Sequence, residues 1–161
     1  MKISAQDLPP SFIRIDKEGT WHFKGNEMFR KDIVKLFYQN LKRDESGKYY
    51  IELENDLASL EVEDTAYVVT AVYKSGSRGE GNERISVQLN DETLEELDCA
   101  SLRIGDQNIL YCTVKIDGHD ARFLRSSYYQ IAEFFDYDDA GDSYFLSLNG
   151  TRYYLKDRGG H

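Results

Sequence analysis

Residues 19–64, GTWHFKGNEMFRKDIVKLFYQNLKRDESGKYYIELENDLASLEVED, set out the plan that the rest of the chain repeats. In TWHFKG, Trp21 and Phe23 alternate with polar neighbours, the period of a half-buried strand. A helix is expected from about Arg30 to Lys42. Ile33, Leu36, Phe37, Asn40 and Leu41 recur at three- and four-residue spacing and so fall on one side. Leu36 and Phe37 are the expected buried pair, and Val34 and Tyr38 widen the stripe. Asp44-Glu45-Ser46-Gly47 reads as a turn, and Tyr49–Leu53 and Ser59–Val62 as strands.

Outward from this stretch the pattern stays strand-rich. Phe12–Ile15 is read as a strand paired with Thr20–Lys24 through the turn Asp16–Gly19. Ala66–Tyr73, AYVVTAVY, is the most β-prone run and is expected at the centre of a sheet. It is read as a hairpin with Glu83–Leu89, across the polar, Gly-rich tip SGSRGEGNE. Asn90–Leu97 is read as a helical turn, Ser101–Ile104 and Ile109–Ile116 as strands, and Ala121–Phe135 as a second helix. Leu124, Tyr128, Ile131 and Phe135 form the inner stripe of that helix. Asn149-Gly150 then joins Ser143–Leu148 to Thr151–Leu155, the strongest short hairpin signal present.

The expected class is α+β, with mainly antiparallel sheets and two repeated strand–helix–strand motifs. The first is placed in residues 1–75 and the second in 76–161. In each, a strand leads to a glycine (Gly25, Gly118), a helix, a second glycine (Gly47, Gly141) and an aromatic strand. Clefts often lie where such halves meet.

The formal net charge is −9 over 161 residues, and the acidic excess is concentrated in the second half. Residues 1–75 carry 11 basic and 13 acidic side chains, residues 76–161 carry 9 and 16. Such a balance repels phosphate backbones and disfavours nucleic acid as a partner. No apolar run reaches the length of a membrane span, and MKISAQDLPP lacks a signal-peptide core. Cys99 and Cys112 form no CxxC and no disulfide framework, so two buried thiols in a cytoplasmic protein are expected.

The chemistry-bearing motifs are incomplete. Asp136–Asp142 matches positions one, three and six of a calcium loop, but Ala140 and Ser147 stand where two ligands belong, so a solvated turn is expected. GSRGEG is neither a Walker A nor a dinucleotide fingerprint. His22, His119 and His161 have no partner at metal-ligand spacing, and Ser126-Ser127 lacks a nucleophile elbow. No metal, cofactor or catalytic residue is therefore assigned. The remaining constellation is basic and aromatic. Arg30 starts the first helix, and Arg122 and Arg125 lie near the start of the second, where free N–H groups and forked guanidinium donors favour an anion. Arg30 and Arg125, with Trp21 and Tyr128 as walls, are the candidate site for a small anion shared between the halves. The alternative is that each arginine pairs with a local acid such as Asp32 or Asp120.

GTWHFKG, Arg30-Lys31 followed by Ile33–Phe37, Arg43-Asp44, Gly47 and the run Leu60–Asp64 with Ala66–Val69 resemble the bacterial family called domain of unknown function 1285. RSSYYQI at 125–131 and the segment 149–155 are similar more loosely, Ile116 stands where an Arg is expected, and the lead-in is short. The resemblance implies a cytosolic protein of two repeated motifs, its C-terminal half loosely like a pleckstrin-homology barrel. It also implies a ligand-binding or signalling role at the interface of the halves. The expected function is a non-enzymatic regulatory module that binds a small anionic ligand or a protein partner. An enzyme whose residues converge only in three dimensions, or a scaffold without ligand, are the alternatives.

Overall fold

The computed structural model describes residues 2–157; His161 lies outside them. The chain divides into two units, residues 1–66 and 67–161. The division expected at residue 75 followed the two repeated motifs. The structure gives residues 67–75 to the second unit because they are its central strand.

In the first unit the elements run β1 (Pro10–Ile15), β2 (Trp21–Phe23), β3 (Asn26–Glu27), α1 (Lys31–Gln39), β4 (Leu41–Arg43), β5 (Tyr49–Leu53) and β6 (Asp56–Val62). The sheet order is β3-β2-β1-β6-β5-β4. All neighbours are antiparallel except β1 and β6, which run parallel with Arg14 opposite Glu61. Two three-stranded meanders are thus joined through their first and last strands. Ile13, Ile15, Trp21, Ile51 and Leu60 fill the core.

Helix α1 is shorter than its periodicity suggests, because Leu41–Arg43 leaves the helix to pair with β5, Leu41 opposite Ile51. Its inward face is also rotated. Tyr38 is the buried residue of the helix, Ile33, Val34 and Phe37 are half-buried, and Leu36 is 48% exposed. Tyr38 takes the inner position because its ring meets Trp21 edge-on at 4.8 Å while its hydroxyl reaches a backbone carbonyl. A large apolar body with a satisfied polar tip packs as well as leucine there.

The second unit begins with β7 (Tyr67–Ser75), β8 (Arg84–Leu89) and β9 (Leu94–Glu96), then β10 (Arg103–Ile104), β11 (Leu110–Val114) and β12 (His119–Phe123). Next come α2 (Arg125–Ala132), β13 (Phe135–Asp138), β14 (Ser143–Leu148), β15 (Thr151–Tyr154) and β16 (Lys156–Asp157). The main sheet has the order β16-β10-β11-β12-β7-β8-β9, and β13-β14-β15 form a separate antiparallel sheet. β7 and β12 are parallel, Ala121 opposite Tyr67. The six strands β7–β12 therefore repeat the order of β1–β6.

The repeat is one of sheets, not of strand–helix–strand units. In the first unit α1 lies between the third and fourth strands, where the second has the short 3-10 turn Cys99–Ser101; α2 instead follows the sixth strand. The expected helix from Ala121 to Phe135 is cut at both ends. His119, Ala121 and Phe123 are buried at period two and belong to β12, while Phe135 opens β13. Asn90–Leu97 is not helical either. Asp91 Oδ1 accepts from the Thr93 N–H and hydroxyl, which forms a tight turn, and Leu94–Glu96 pairs with β8.

Helix α2 docks on β7 through polar bonds as well as apolar contact. The Ser127 hydroxyl donates to the Val69 carbonyl at 2.7 Å, and Gln130 Oε1 accepts the Val72 N–H at 2.8 Å. Ile131 is fully buried beside them in sequence. The hairpin at Asn149-Gly150 has positive φ at both residues, 51° and 81°, as a type I′ turn requires. Cys99 and Cys112 are buried and unpaired, and burial pushes their thiols up to about 11 and about 12. Among the described residues, no helix is long and apolar enough to cross a membrane.

Candidate functional site

Arg30 is the N-cap residue of α1, and its guanidinium forks onto Asp32, with Nε and Nη2 donating at 3.3 and 2.7 Å. That hydrogen bonding raises the arginine above its ordinary value and lowers the aspartate. Both side chains are largely exposed, so the pair fixes a rotamer more than it stabilises the fold. Arg125 is the exposed first residue of α2, in the other unit.

Trp21 lies in the core of the first unit. It is 2% exposed, packed against Phe37 and Tyr38, and its buried Nε1 has no hydrogen-bond partner. Tyr128 does line a cavity, one of about 540 Å³ within the second unit, together with Ile104, Asn108, Phe135, Asp142 and Tyr144. The charged group in that lining is an acid, Asp142, which disfavours an anion.

The remaining sequence candidates are engaged in structure. His119 lies on a strand, not in a turn; it is buried, with Nε2 2.8 Å from Asp117 Oδ2 and its ring edge-on to Tyr67. His22 Nε2 lies 2.9 Å from Asp16 Oδ2. In the acidic run, Asp138 accepts from the Ala140 and Gly141 N–H groups and from the Tyr154 hydroxyl, and Tyr137 donates to Asp142. These bonds tie Asp138 and Asp142 into the turn itself.

A groove of about 320 Å³ in the first unit is what the sequence reading missed. Ile13 comes from β1, Phe23 from β2, Met28 to Arg30 from the segment before α1, and Ile33 and Phe37 from α1. The Met28 N–H donates to the Trp21 carbonyl at 2.8 Å, which anchors the segment against β2. Phe29, the next residue, stands 79% exposed at the edge of the groove. Phe23 is 44% and Phe12 61% exposed, and the Lys24 ammonium lies 5.3 and 5.6 Å from their ring centroids. That distance suits a cation–π contact. Phe12 turns outward at a bulge in β1, with φ 64°. The available signal was Phe29 itself, an aromatic that fits neither the strand alternation nor the helical stripe.

Six apolar side chains and one guanidinium turned onto its own aspartate offer contact rather than proton transfer. Exposed apolar clusters of this kind mark interaction surfaces.

Among the described residues, two strand-dominated units, each carrying one α-helix and each built on two meanders joined through a parallel pair, define an α+β protein with a duplicated sheet. Residues 6–65 match the N-terminal domain of the domain of unknown function DUF1285. The fold of the whole chain is similar to that of a DUF1285 family protein from Silicibacter pomeroyi DSS-3. There the TM-score is 0.74 at 19% identity, over 98% of this chain and 89% of that one. A DUF1285 family protein from Shewanella baltica OS155 is similar with a TM-score of 0.61 at 19% identity, over 78% of this chain and 94% of that one. No curated protein matches the chain.

Proposed function

We propose that the chain is a non-enzymatic docking module that acts by seating an apolar protein segment in the groove of its first unit. The observation that carries this reading is the coincidence of an apolar recess with two exposed aromatics that line it, Phe23 and Phe29. Interfaces are enriched in aromatic anchors and depleted of charge at their centre, and this patch has that composition. A small anion held by Arg30 and Arg125 becomes the second reading, because Asp32 already occupies the Arg30 fork. Two buried cysteines left as thiols suit a reducing, cytoplasmic setting. A module without chemistry of its own fits a regulatory role.

The test uses an apolar fluorescent probe, 8-anilinonaphthalene-1-sulfonate, in dilute solution. The wild type should enhance its emission saturably. Ile33→Asp should lose the enhancement while circular dichroism shows the fold retained. Equal enhancement by both proteins, or none by the wild type, contradicts the reading.

A further inference from the structure

We infer that the cavity of the second unit binds a small organic cation, a methylated ammonium group enclosed by Tyr128, Phe135 and Tyr144 and neutralised by Asp142. It does not depend on the groove of the first unit.

Three aromatic rings and one carboxylate line the cavity, from α2, β13, β14 and the turn between those strands. In the β13–β14 register Tyr137 lies opposite Tyr144, and Phe135 is two residues from Tyr137, so these three aromatics share one face of the sheet. Tyr137 braces two of the lining groups. Its ring meets Tyr144 edge-on at 4.9 Å, and its hydroxyl donates to Asp142 Oδ1. Aromatic faces attract a weakly hydrated organic cation, and a carboxylate beside them supplies the counter-charge. One carboxylate is too few oxygen ligands for a hard metal ion. The volume, about 540 Å³, lies in the range of small-molecule sites.

The charge around the cavity has the matching sign. Residues 133–142, EFFDYDDAGD, hold five acids and no base. Ala132, also in the lining, is the last residue of α2, and the carbonyl end of a helix favours positive charge. The nearby bases do not line the cavity. Arg152 lies on the other face of the sheet, its guanidinium 4.4 Å from the Phe145 ring centroid. Arg103 pairs with Asp120, and Lys156 Nζ donates to the Ala100 carbonyl at 3.0 Å. Arg125 stands one turn before Tyr128, at the far end of α2 and about 10 Å along the axis from Ala132. Among the described residues Asp142 has no lysine or arginine partner, which leaves its charge for a ligand.

Choline is the probe, with its uncharged isostere tert-butylethanol as the control, and NMR titration of the whole chain reads the binding. Choline should shift the resonances of Tyr128, Phe135 and Tyr144 saturably, and the alcohol should bind at least several-fold more weakly. Tyr144→Leu should weaken choline by roughly two- to thirtyfold, the range of one cation–π contact. Asp142→Asn should weaken it as well. Asparagine tolerates the φ of 50° at that position and still accepts the Tyr137 hydroxyl. Both side chains are exposed, so both variants should keep the melting temperature. Leu94→Ser, on β9, should leave binding unchanged. Equal affinity for choline and the alcohol overturns the assignment of a cation. Choline binding that survives both cavity variants, or the lack of any saturable shift in the wild type, overturns the site.

Discussion

The Tyr38 hydroxyl donates to the Ala66 carbonyl at 2.6 Å, a buried bond that ties the end of α1 to the end of the first unit. Tyr38→Phe keeps the ring against Trp21 and removes only the donor. The variant should lose about 1–2 kcal/mol, the cost of a buried carbonyl without its partner. Urea denaturation measures it, and a loss of a few tenths would show the bond to be incidental.

Leu36 and Tyr38 divide the helix differently from its periodicity. Leu36→Ala should cost less than about 1 kcal/mol because the side chain is half exposed, whereas Tyr38→Ala should cost about 3–5 kcal/mol. Equal losses in paired denaturation curves would mean that α1 turns its other face inward.

At the tip of the β7–β8 hairpin two glycines share a left-handed conformation, Gly76 at φ +88° and Gly79 at +87°. A Cβ at Gly76 would lie 2.2 Å from the Asn82 carbonyl oxygen, while one at Gly79 meets open space. Gly79→Ala should therefore cost only the backbone strain, about 1–2 kcal/mol, and Gly76→Ala clearly more. The same ranking of thermal midpoints is expected, and a reversal would contradict this turn geometry.

Asp44 organises the turn before β5. It accepts from the Ala5 N–H at 2.8 Å, the Ser46 N–H and hydroxyl at 2.9 and 2.7 Å, and the Lys48 N–H at 2.9 Å. These bonds, the Ala5 one foremost, hold its carboxyl down to about 2. A depressed carboxylate contributes stability above its unfolded pKa of about 3.9 and loses it as pH falls through the folded value. The gap in melting temperature between wild type and Asp44→Asn should thus be full at neutral pH and close between about pH 4 and pH 2. A gap that stays constant with pH would exclude the ionised carboxylate as its source.

Local signals found the hairpins and strands well. Tyr49–Leu53 and the Asn149-Gly150 turn need only neighbouring residues, and both stand where the sequence puts them. What the sequence hid depends on partners far along the chain. His119–Phe123 carries helix-compatible residues, yet parallel pairing with β7 makes it a strand. Leu41 fits a helical stripe, yet β5 takes it into a sheet. The duplication is legible only in sheet order, because the helices that suggested it occupy different places in the two units. Of the candidate site residues, Trp21 was misread because a strand aromatic beside polar neighbours looks the same whether it faces a core or a cleft. The groove escaped because Ile13, Phe23, Phe29 and Phe37 converge only on folding.

The central claim is that the apolar groove of the first unit is a docking surface, and mapping of bound 8-anilinonaphthalene-1-sulfonate by NMR tests it most directly. Saturating dye should shift the resonances of Ile13, Phe23, Ile33 and Phe37, which line the groove, and leave those of the second unit in place. Shifts confined to the second unit, or none at all, would contradict the account.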